Sequence, residues 1–343
     1  MNEQLVANKP ADSSLIDLDK LKRDGKVFKE NASATVIDIG DRIGLIEFHT
    51  KANAINAEVA AMITAACKEA VGHFDALVVG NRGRHFSAGA NLTWLLSCAR
   101  SSNWTEVSQT IEALQNSNML LKYGPLPTVA APFSNALGGG CEVCLHCRRV
   151  IAADGLHMGL VETGVGLVPS GGGTKELTVR AFDRAEESDV DFLIEAQKVF
   201  HWITTARVSK SGQEAKELFL KETDQVVPGH ESPIEEAKKV AAQLHGNGHQ
   251  AARKDIPVLG KAAMSDFEAE IDQLLEAKAI SEHDAVIARH IANIITAGDH
   301  GFGTAHEQHF LDLERQAFLS LLGTQKTQER IEFLLTNNKP LRN

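Results

Sequence analysis

Residues 136–147 read ALGGGCEVCLHC, and the interpretation of the chain begins from this stretch. A strand-like segment precedes it at 128–131, and a helical pattern follows the three glycines. Gly138, Gly139 and Gly140 are therefore predicted to lie at a helix N-terminus, where unpaired N–H groups and the positive end of the dipole face any nearby negative charge. Glycine also lets a ligand approach the backbone closely. A tight turn with no ligand is the alternative.

Two further stretches carry unusual residue combinations. HFSAGANLTWL, residues 85–95, directly follows a short buried strand at 76–79, so it is placed at the carboxyl edge of a sheet, where α/β proteins build sites. GLVETGVGLVPSGGGTKEL, residues 159–177, adds Glu162 in a loop and a second glycine run. Two carboxyl groups and two glycine turns are thus expected near one another.

In this order, the three stretches resemble the crotonase (enoyl-CoA hydratase/isomerase) superfamily over residues 35–182. That family combines F-x-x-G-x-D/N, G-G-G-x-E and a second Glu before G-x-x-P-x-x-G-G, and KANAIN at 51–56 resembles its segment near the adenine end of CoA. The resemblance implies catalytic roles for Glu142 and Glu162 and an oxyanion hole from the amides of Ala90 and Gly139. The implied CoA- or substrate-binding positions are Lys51, Ala52, Ala54, Ser87, Ala88, Asn91, Gly138, Val165 and Ser170.

The expected reaction is addition of water to the 2,3 double bond of an enoyl-CoA thioester in fatty-acid β-oxidation. Charge then moves onto the thioester oxygen, and two fixed N–H donors stabilise it most in the transition state. One carboxylate activates water and one carboxyl delivers a proton to C2, for which Glu142 is assigned as base and Glu162 as acid. Enoyl-CoA isomerase, which chiefly needs one carboxylate, and a non-catalytic CoA-binding scaffold are the alternatives.

Cys141, Cys144 and Cys147 invite a metal interpretation. On a helix, however, three residues at this spacing spread over about a third of the circumference, which is poor geometry for one ion. Packing of small helix residues is predicted instead, with no metal site. No cofactor is expected beyond the coenzyme A that forms part of the substrate.

The fold class expected is α/β, with a crotonase-like ββα spiral core followed by a mostly helical C-terminal region. TVIDIGDRIGLIEFHT, residues 35–50, predicts a hairpin, and alternating helical and strand-like patterns up to about 182 predict a largely parallel sheet. The predicted division is a polar arm or linker at 1–34, a catalytic core at 35–182 and a helical region at 183–343.

Composition excludes several classes of protein. The net charge of −10 gives no support to nucleic-acid binding, and no apolar run reaches the length of about 20 residues that spans a bilayer. The polar N-terminus has no signal-peptide core, and five cysteines do not form a secreted disulfide framework. A cytoplasmic protein is expected.

The tail narrows the resemblance. Residues 281–295 and 307–343 are similar to the C-terminal end of bacterial bifunctional 3-hydroxyacyl-CoA dehydrogenase/enoyl-CoA hydratases, and no G-x-G-x-x-G motif for NAD follows a strand in this chain. A hydratase-only relative and a piece of a longer protein are both consistent with this. The expected partners are an acyl-CoA thioester, further copies in a homo-oligomer, and a dehydrogenase or thiolase component.

Overall fold

The computed structural model describes residues 15–244, 255–301 and 303–343. The strands are β1 Val27–Glu30, β2 Ala34–Asp38, β3 Ile43–Phe48, β4 Ala76–Val79, β5 Thr128–Ala130, β6 Asn135–Leu137, β7 Arg149–Ala153, β8 His157–Gly159, β9 Gln225–Val227, β10 Ile256–Val258 and β11 Gly303–Ala305. The helices are α1 Leu18–Arg23, α2 Ala57–Glu69, α3 Leu92–Arg100, α4 Trp104–Tyr123, α5 Gly139–His146, α6 Gly173–Ser188, α7 Phe192–Thr204, α8 Gly212–Leu218, α9 Ile234–Leu244, α10 Gly260–Glu276, α11 Glu282–Ile295, α12 Glu307–Leu322 and α13 Gln325–Asn337.

Seven strands form the main sheet in the order β1-β2-β3-β4-β5-β7-β9. β2 and β3 form the predicted antiparallel hairpin, in which Gly40, Asp41 and Arg42 adopt positive φ and the amide of Ile43 donates to the carbonyl of Gly40. From β3 onward the neighbouring strands run parallel, each pair being joined by a helical crossover. The prediction of an α/β fold with a largely parallel sheet is confirmed.

Both faces of the sheet are buried, and alternate residues serve different faces. Ile46 of β3 and Val79 of β4 face the larger core, which also contains α2 and α4. Leu45 and Val78 face a smaller core that is closed by α9 and α1. The loops that follow β4, β6 and β8 carry the site described below.

The N-terminal segment departs from the predicted arm at 1–34. β1 pairs antiparallel with β2 at the edge of the main sheet, and Leu18 of α1 is buried in the smaller core. Short apolar patches such as Leu18 and Val27–Phe28 are too brief for periodicity to identify. Residues 1–14, the other part of that prediction, lie outside the described residues.

The boundary predicted near 182 falls inside α6, which continues to Ser188. Beyond it, β9 extends the main sheet and α9 covers one sheet face, so the helical region shares the core of the preceding part. The two predicted parts therefore form one unit. The sequence pattern did not reveal this because strand β9 is only three residues long and lies among helices. Ser211 and Ser281 cap α8 and α11, whereas the Ser232 hydroxyl donates to the carbonyl of Ala131.

A second, smaller layer lies beside the main sheet. β6 and β8 pair in parallel, and Ser87 forms a single bridge to Ala136 of β6. Cys141, Cys144 and Cys147 are buried in the larger core, as the packing interpretation predicts. Among residues 15–244, 255–301 and 303–343, no helix is both long and apolar enough to cross a membrane.

Ile234→Ala tests whether α9 is an integral part of the core. The Ile234 side chain is fully buried against the sheet, so its truncation should lower the free energy of unfolding by about 2–5 kcal/mol. Chemical denaturation measures this, with the exposed Val286→Ala as the matched control. An Ile234→Ala protein as stable as the control would contradict the packing of α9 on the sheet.

Candidate active site

A cavity of about 460 Å³ lies where the loops after β4, β6 and β8 meet. The amide of Leu137 donates to the carbonyl of Ser87 at 3.0 Å, and the amide of Gly138 donates to the carbonyl of Gly159 at 2.9 Å, so these loops are tied to one another by backbone contacts. The cavity therefore lies at the carboxyl ends of β4 and of the parallel pair β6 and β8, the edge at which α/β folds place their ligands.

Two backbone segments approach each other closely at the floor of the cavity. A Cβ atom on Gly89 would lie 3.3 Å from the carbonyl oxygen of Leu137, and one on Gly138 would lie 3.6 Å from the Cα of Gly89. Both glycines have positive φ, of 95° and 52°. Ala90 and Gly139 follow these contacts directly, and within the described residues neither amide donates to a backbone carbonyl. Two amides without a backbone acceptor among the described residues thus lie beside the cavity, that of Gly139 at the N-terminus of α5 and that of Ala90 in the loop before α3.

Glu142 lies on the first turn of α5 and is 2% exposed. Its Oε1 accepts hydrogen bonds from the amides of Gly171 at 2.7 Å and Gly173 at 2.9 Å. These amides belong to the segment Ser170–Gly173, here called the glycine loop, which leads into α6. Burial raises the pKa of Glu142 to about 7, against the two amide donors and the positive charge of Lys175, which lower it.

Glu162 begins a 3₁₀ turn, Glu162–Val165, after β8. Its Oε1 lies close to Gly138, since a Cβ on that glycine would lie 2.9 Å from this oxygen. Its Oε2 is buried, and the described residues provide no hydrogen-bond partner for it. Burial, followed by repulsion from Glu142, raises the pKa of Glu162 to about 8. An orphaned carboxyl oxygen beside a cavity is characteristic of a group that acts on a ligand.

The C-terminal helices hold the Glu162 turn and cover the cavity. On α13 the Thr327 hydroxyl donates to the carbonyl of Gly166 at 2.8 Å, and the buried Arg330 pairs with Asp284. The apolar walls come from several elements, and their main side chains are Leu95, Ile111, Leu114, Val165, Leu167, Phe318 and Leu334. The walls suit an aliphatic ligand chain.

Most of the predicted site residues lie in one place. Those that line the cavity are Ala88, Ala90, Asn91, Gly138, Gly139, Glu142, Glu162, Val165 and Ser170. Lys51, Ala52 and Ala54 lie outside its lining, although the carbonyl of Ala52 accepts from the amide of Ala88 at 3.1 Å. The side chain of Asn91 caps α3 by accepting from the amide of Trp94.

Ser87 is a correction to the predicted binding set. It is fully buried beneath Gly140, its backbone amide and carbonyl pair with Asn135 and Leu137, and its hydroxyl accepts from the amide of Gly89. Its polar groups are therefore used within the fold, and it packs under the glycines instead of contacting a ligand.

Three buried polar side chains that support the glycine loop were missed. Gln115 and Asn118 of α4 donate to the carbonyls of Ser170 and Gly171, both at 2.8 Å, and Glu314 of α12 accepts from the amide of Gly172. A signal was present for Glu314, because it lies in register with Phe310, Ala317 and Leu321 on the apolar face of its helix. Polar residues at such positions must find buried partners.

His146 is buried behind the site. Its Nδ1 donates to the carbonyl of Glu142 at 2.7 Å, and its Nε2 accepts from the Lys175 ammonium at 3.0 Å. Burial and Lys175 hold its pKa well below the usual range, so the ring is neutral. His306 is exposed, and His309 is half-buried against the carbonyl of Ala297.

A family model described as Enoyl-CoA hydratase/isomerase matches residues 38–283, which is most of the chain. The chain belongs to this family. Solved structures agree on the fold: an enoyl-CoA hydratase from Rhodobacter sphaeroides has a TM-score of 0.64 at 19% identity, covering 91% of this chain and 92% of that one. An enoyl-CoA hydratase from Bacillus halodurans has a TM-score of 0.58 at 18% identity, covering 88% and 99%. The predicted crotonase-like fold is confirmed.

Two curated relatives that match more than nine tenths of this chain are much longer proteins. A probable 3-hydroxyacyl-CoA dehydrogenase of Bacillus subtilis is 41% identical over 331 residues, which are 96% of this chain and 41% of that protein. A putative fatty acid oxidation complex trifunctional enzyme of Rickettsia felis is 26% identical over 315 residues, which are 91% of this chain and 40% of that protein. The chain thus spans about two fifths of the length of these curated relatives.

Glu162→Gln tests the cost of burying this carboxyl. The folded state holds the Glu162 proton up to about pH 8, whereas the unfolded chain releases it near 4.5, so this group weakens folding as pH rises between the two values. The stability of Glu162→Gln, relative to the parent, should therefore increase from pH 5 to pH 8. Urea unfolding at several pH values measures it, with the exposed Glu268→Gln as control. A constant difference between variant and parent would refute the raised pKa.

Proposed function

We propose that this chain is an enoyl-CoA hydratase that adds water across the 2,3 double bond of a trans-2-enoyl-CoA. The observation that carries the proposal is a pair of carboxyls beside the glycines of α5, the buried Glu142 and the half-buried Glu162, whose Oε1 lies near Gly138. Each lines the same cavity, and each keeps one oxygen out of the hydrogen bonds that hold the fold. Hydration requires two such groups, one for water and one for the proton.

The thioester carbonyl is proposed to lie between the amides of Ala90 and Gly139. Addition of a nucleophile at C3 turns this carbonyl into an enolate oxygen, and fixed donors stabilise that charge without reorganising. Loss of one such donor typically costs about 3 kcal/mol of transition-state stabilisation. Glycine suits position 138 because its φ of 52° and ψ of −122° are rarely adopted by residues with a side chain, and a Cβ there would lie 2.9 Å from Oε1 of Glu162.

The different environments of Glu142 and Glu162 support different roles, one as the base and the other as the acid. Glu142 receives two amide donors and the field of Lys175, so it is the first of the pair to ionise and suits the base that takes a proton from water. Glu162 has a partnerless oxygen and a carboxylate neighbour, so it keeps its proton longer and suits the acid that protonates C2. Because the two titrate together, the active species is the pair that holds one proton.

We also propose a metabolic role, partners and a cellular location for the chain. The product, a 3-hydroxyacyl-CoA, is the compound class in the name of the Bacillus subtilis relative, so we propose transfer to a dehydrogenase and a role in fatty-acid β-oxidation. A thiolase component, homo-oligomeric assembly and a cytoplasmic location are proposed on the family resemblance and composition. The reaction moves no electrons to or from the substrate, so it needs no cofactor beyond the CoA that the substrate carries.

Crotonyl-CoA provides the direct assay, through loss of the absorbance of its conjugated thioester. Glu142→Gln and Glu162→Gln should each lower kcat by about 10²- to 10⁴-fold, because each removes a proton-transfer group, while affinity for the saturated analogue butyryl-CoA is kept. Glu268→Gln, at an exposed position, serves as the matched control. A parent that binds butyryl-CoA but leaves crotonyl-CoA unchanged would overturn the hydratase assignment. Turnover of a 3-enoyl-CoA by that parent, with Glu162→Gln still active, would favour the isomerase.

The pH dependence of kcat/KM should be bell-shaped, because this ratio reports the ionisation of the ligand-free enzyme. It rises as the carboxyl pair loses its first proton and falls as the pair loses its second, and burial raises the pKa of Glu142 to about 7 and that of Glu162 to about 8, so the optimum is narrow. Initial rates at crotonyl-CoA concentrations well below KM measure the profile. A rate that stays constant from pH 6 to pH 9 would contradict the assignment of one ionised and one protonated carboxyl.

A further inference from the structure

Two carboxyl groups from different helices share the backbone amides at the start of α6. Oε1 of Glu142 accepts from Gly171 and Gly173, whereas Glu314 accepts from Gly172 through Oε2 and from Lys175 through Oε1, both at 2.7 Å. Successive amides of this segment therefore bind two different carboxyls: Glu142, which lines the cavity, and Glu314, which does not. Any movement of the glycine loop displaces the donors of Glu142.

Glu314 lies on α12, about 140 residues after the loop that it holds, and is fully buried. From the opposite side, Gln115 and Asn118 of α4 hold the carbonyls of Ser170 and Gly171. Within the described residues, Glu314 is the side chain that accepts the amide of Gly172. The position of the loop thus depends on two helices. Side chains of α4 bind its carbonyls, and Glu314 of α12 binds the amides that Glu142 does not bind.

We propose that Glu314 is a positioning residue for Glu142. It fixes the glycine loop from α12, so that the loop amides hold Oε1 of Glu142 and direct Oε2 toward Gly139 and the cavity. A Cβ on Gly139 would lie 4.0 Å from that Oε2. This inference rests on the proposed function, and it makes the helical C-terminal region a working part of the active site.

An ordinary helix cap is the competing explanation, because any carboxylate at a helix N-terminus stabilises the helix. Two features go beyond capping. Ser, Thr or Asn can cap a helix without the cost of burying a carboxyl, yet this position holds a fully buried glutamate that uses both oxygens. In addition, the loop is closely packed, since Gly172 has a φ of 100° and a Cβ there would lie 2.8 Å from Nε2 of His146.

The charged and titratable groups around the loop are already paired, apart from the acids discussed. Lys122 of α4, Lys175 and Glu176 of α6, and Glu307 of α12 form a closed cluster with contacts of 2.7–3.1 Å. His146 of α5 is neutral, and Arg315 of α12 pairs with Asp312 and Glu112. Among the described residues near the loop, the carboxyl groups that form no ion pair are those of Glu142, Glu162 and Glu314.

Glu314→Gln separates position from charge. Burial and the neighbouring Glu142 raise the pKa of Glu314 well above its usual range, whereas the amides of Gly172 and Lys175 lower it. Both carboxyl oxygens accept these amides, so the exchange replaces one acceptor by an NH₂ group that faces an N–H donor. The loop then relaxes, Glu142 loses part of the donation that lowers its pKa, and that pKa rises.

The first experiment measures kcat and KM for crotonyl-CoA from pH 5 to pH 9, together with the Kd of butyryl-CoA. For Glu314→Gln, kcat should fall about 10- to 100-fold, because small misplacements of a catalytic group have effects of this size. The acid limb of the pH profile should move to higher pH, with KM and the butyryl-CoA Kd within about twofold of the parent. Glu314→Asp, which keeps both acceptor oxygens, should recover part of the loss, and the half-exposed Asp312→Asn on the same helix is the control.

The second experiment does not require activity. Carbon-13 carboxyl NMR of glutamate-labelled protein follows Glu142, whose signal is identified by its loss in Glu142→Gln. Its titration midpoint should be higher in Glu314→Gln, or in Glu314→Asp if the former does not fold. An unchanged midpoint, or a kcat and acid limb equal to those of the parent, would overturn the positioning role. If the parent itself lacks hydratase activity, the proposed function fails while the NMR midpoint still decides the role of Glu314.

Discussion

The structure depends on one buried contact, the hydrogen bonds from the amides of Gly171 and Gly173 to the carboxyl of Glu142. A buried carboxyl is costly unless donors compensate it, and a helix N-terminus supplies both donors and a favourable dipole. To bring α6 to this carboxyl, the glycine loop must lie against α5, and a Cβ on Gly171 would lie only 2.5 Å from Oε2 of Glu142. The residues Gly171 and Gly172 are thus required by closeness of approach and by backbone conformation.

The same contact separates the properties of the two acids. Among the described residues, Oε1 of Glu142 has two amide donors and Oε2 of Glu162 has no hydrogen-bond partner, although both carboxyls line one cavity. Unequal environments push the pKa values of neighbouring carboxyls apart, and a base and an acid can then coexist near neutral pH. Around this pair, α12 and α13 hold the glycine loop and the Glu162 turn and contribute Phe318 and Leu334 to the cavity wall.

Sequence patterns predicted the local structure and the residues of the cavity floor well. Strand, turn and glycine signals are local. Gly138, Glu142 and Glu162 are recognisable as a combination because they lie within 25 residues of one another, between the end of β6 and the turn after β8. Gln115 and Asn118 were not found, because their partners lie 50 or more residues away and hydrogen bonding across that separation leaves no periodic trace. For Glu314, the helical register indicates a buried polar side chain but does not identify the amide that it accepts. For the same reason β1 and β9, both short edge strands, and the shared core on either side of residue 182 became evident only in three dimensions.

The central claim is that these two carboxyls add water to a conjugated thioester. Mass spectrometry of crotonyl-CoA incubated with the protein in ¹⁸O-labelled D₂O tests it most directly, because the label reports the origin of every added atom. The account predicts 3-hydroxybutyryl-CoA with ¹⁸O at C3 and one deuterium at C2, formed by the parent and lost in both Glu142→Gln and Glu162→Gln. Deuterium exchange without ¹⁸O in the product, or labelling that persists in either variant, would contradict it.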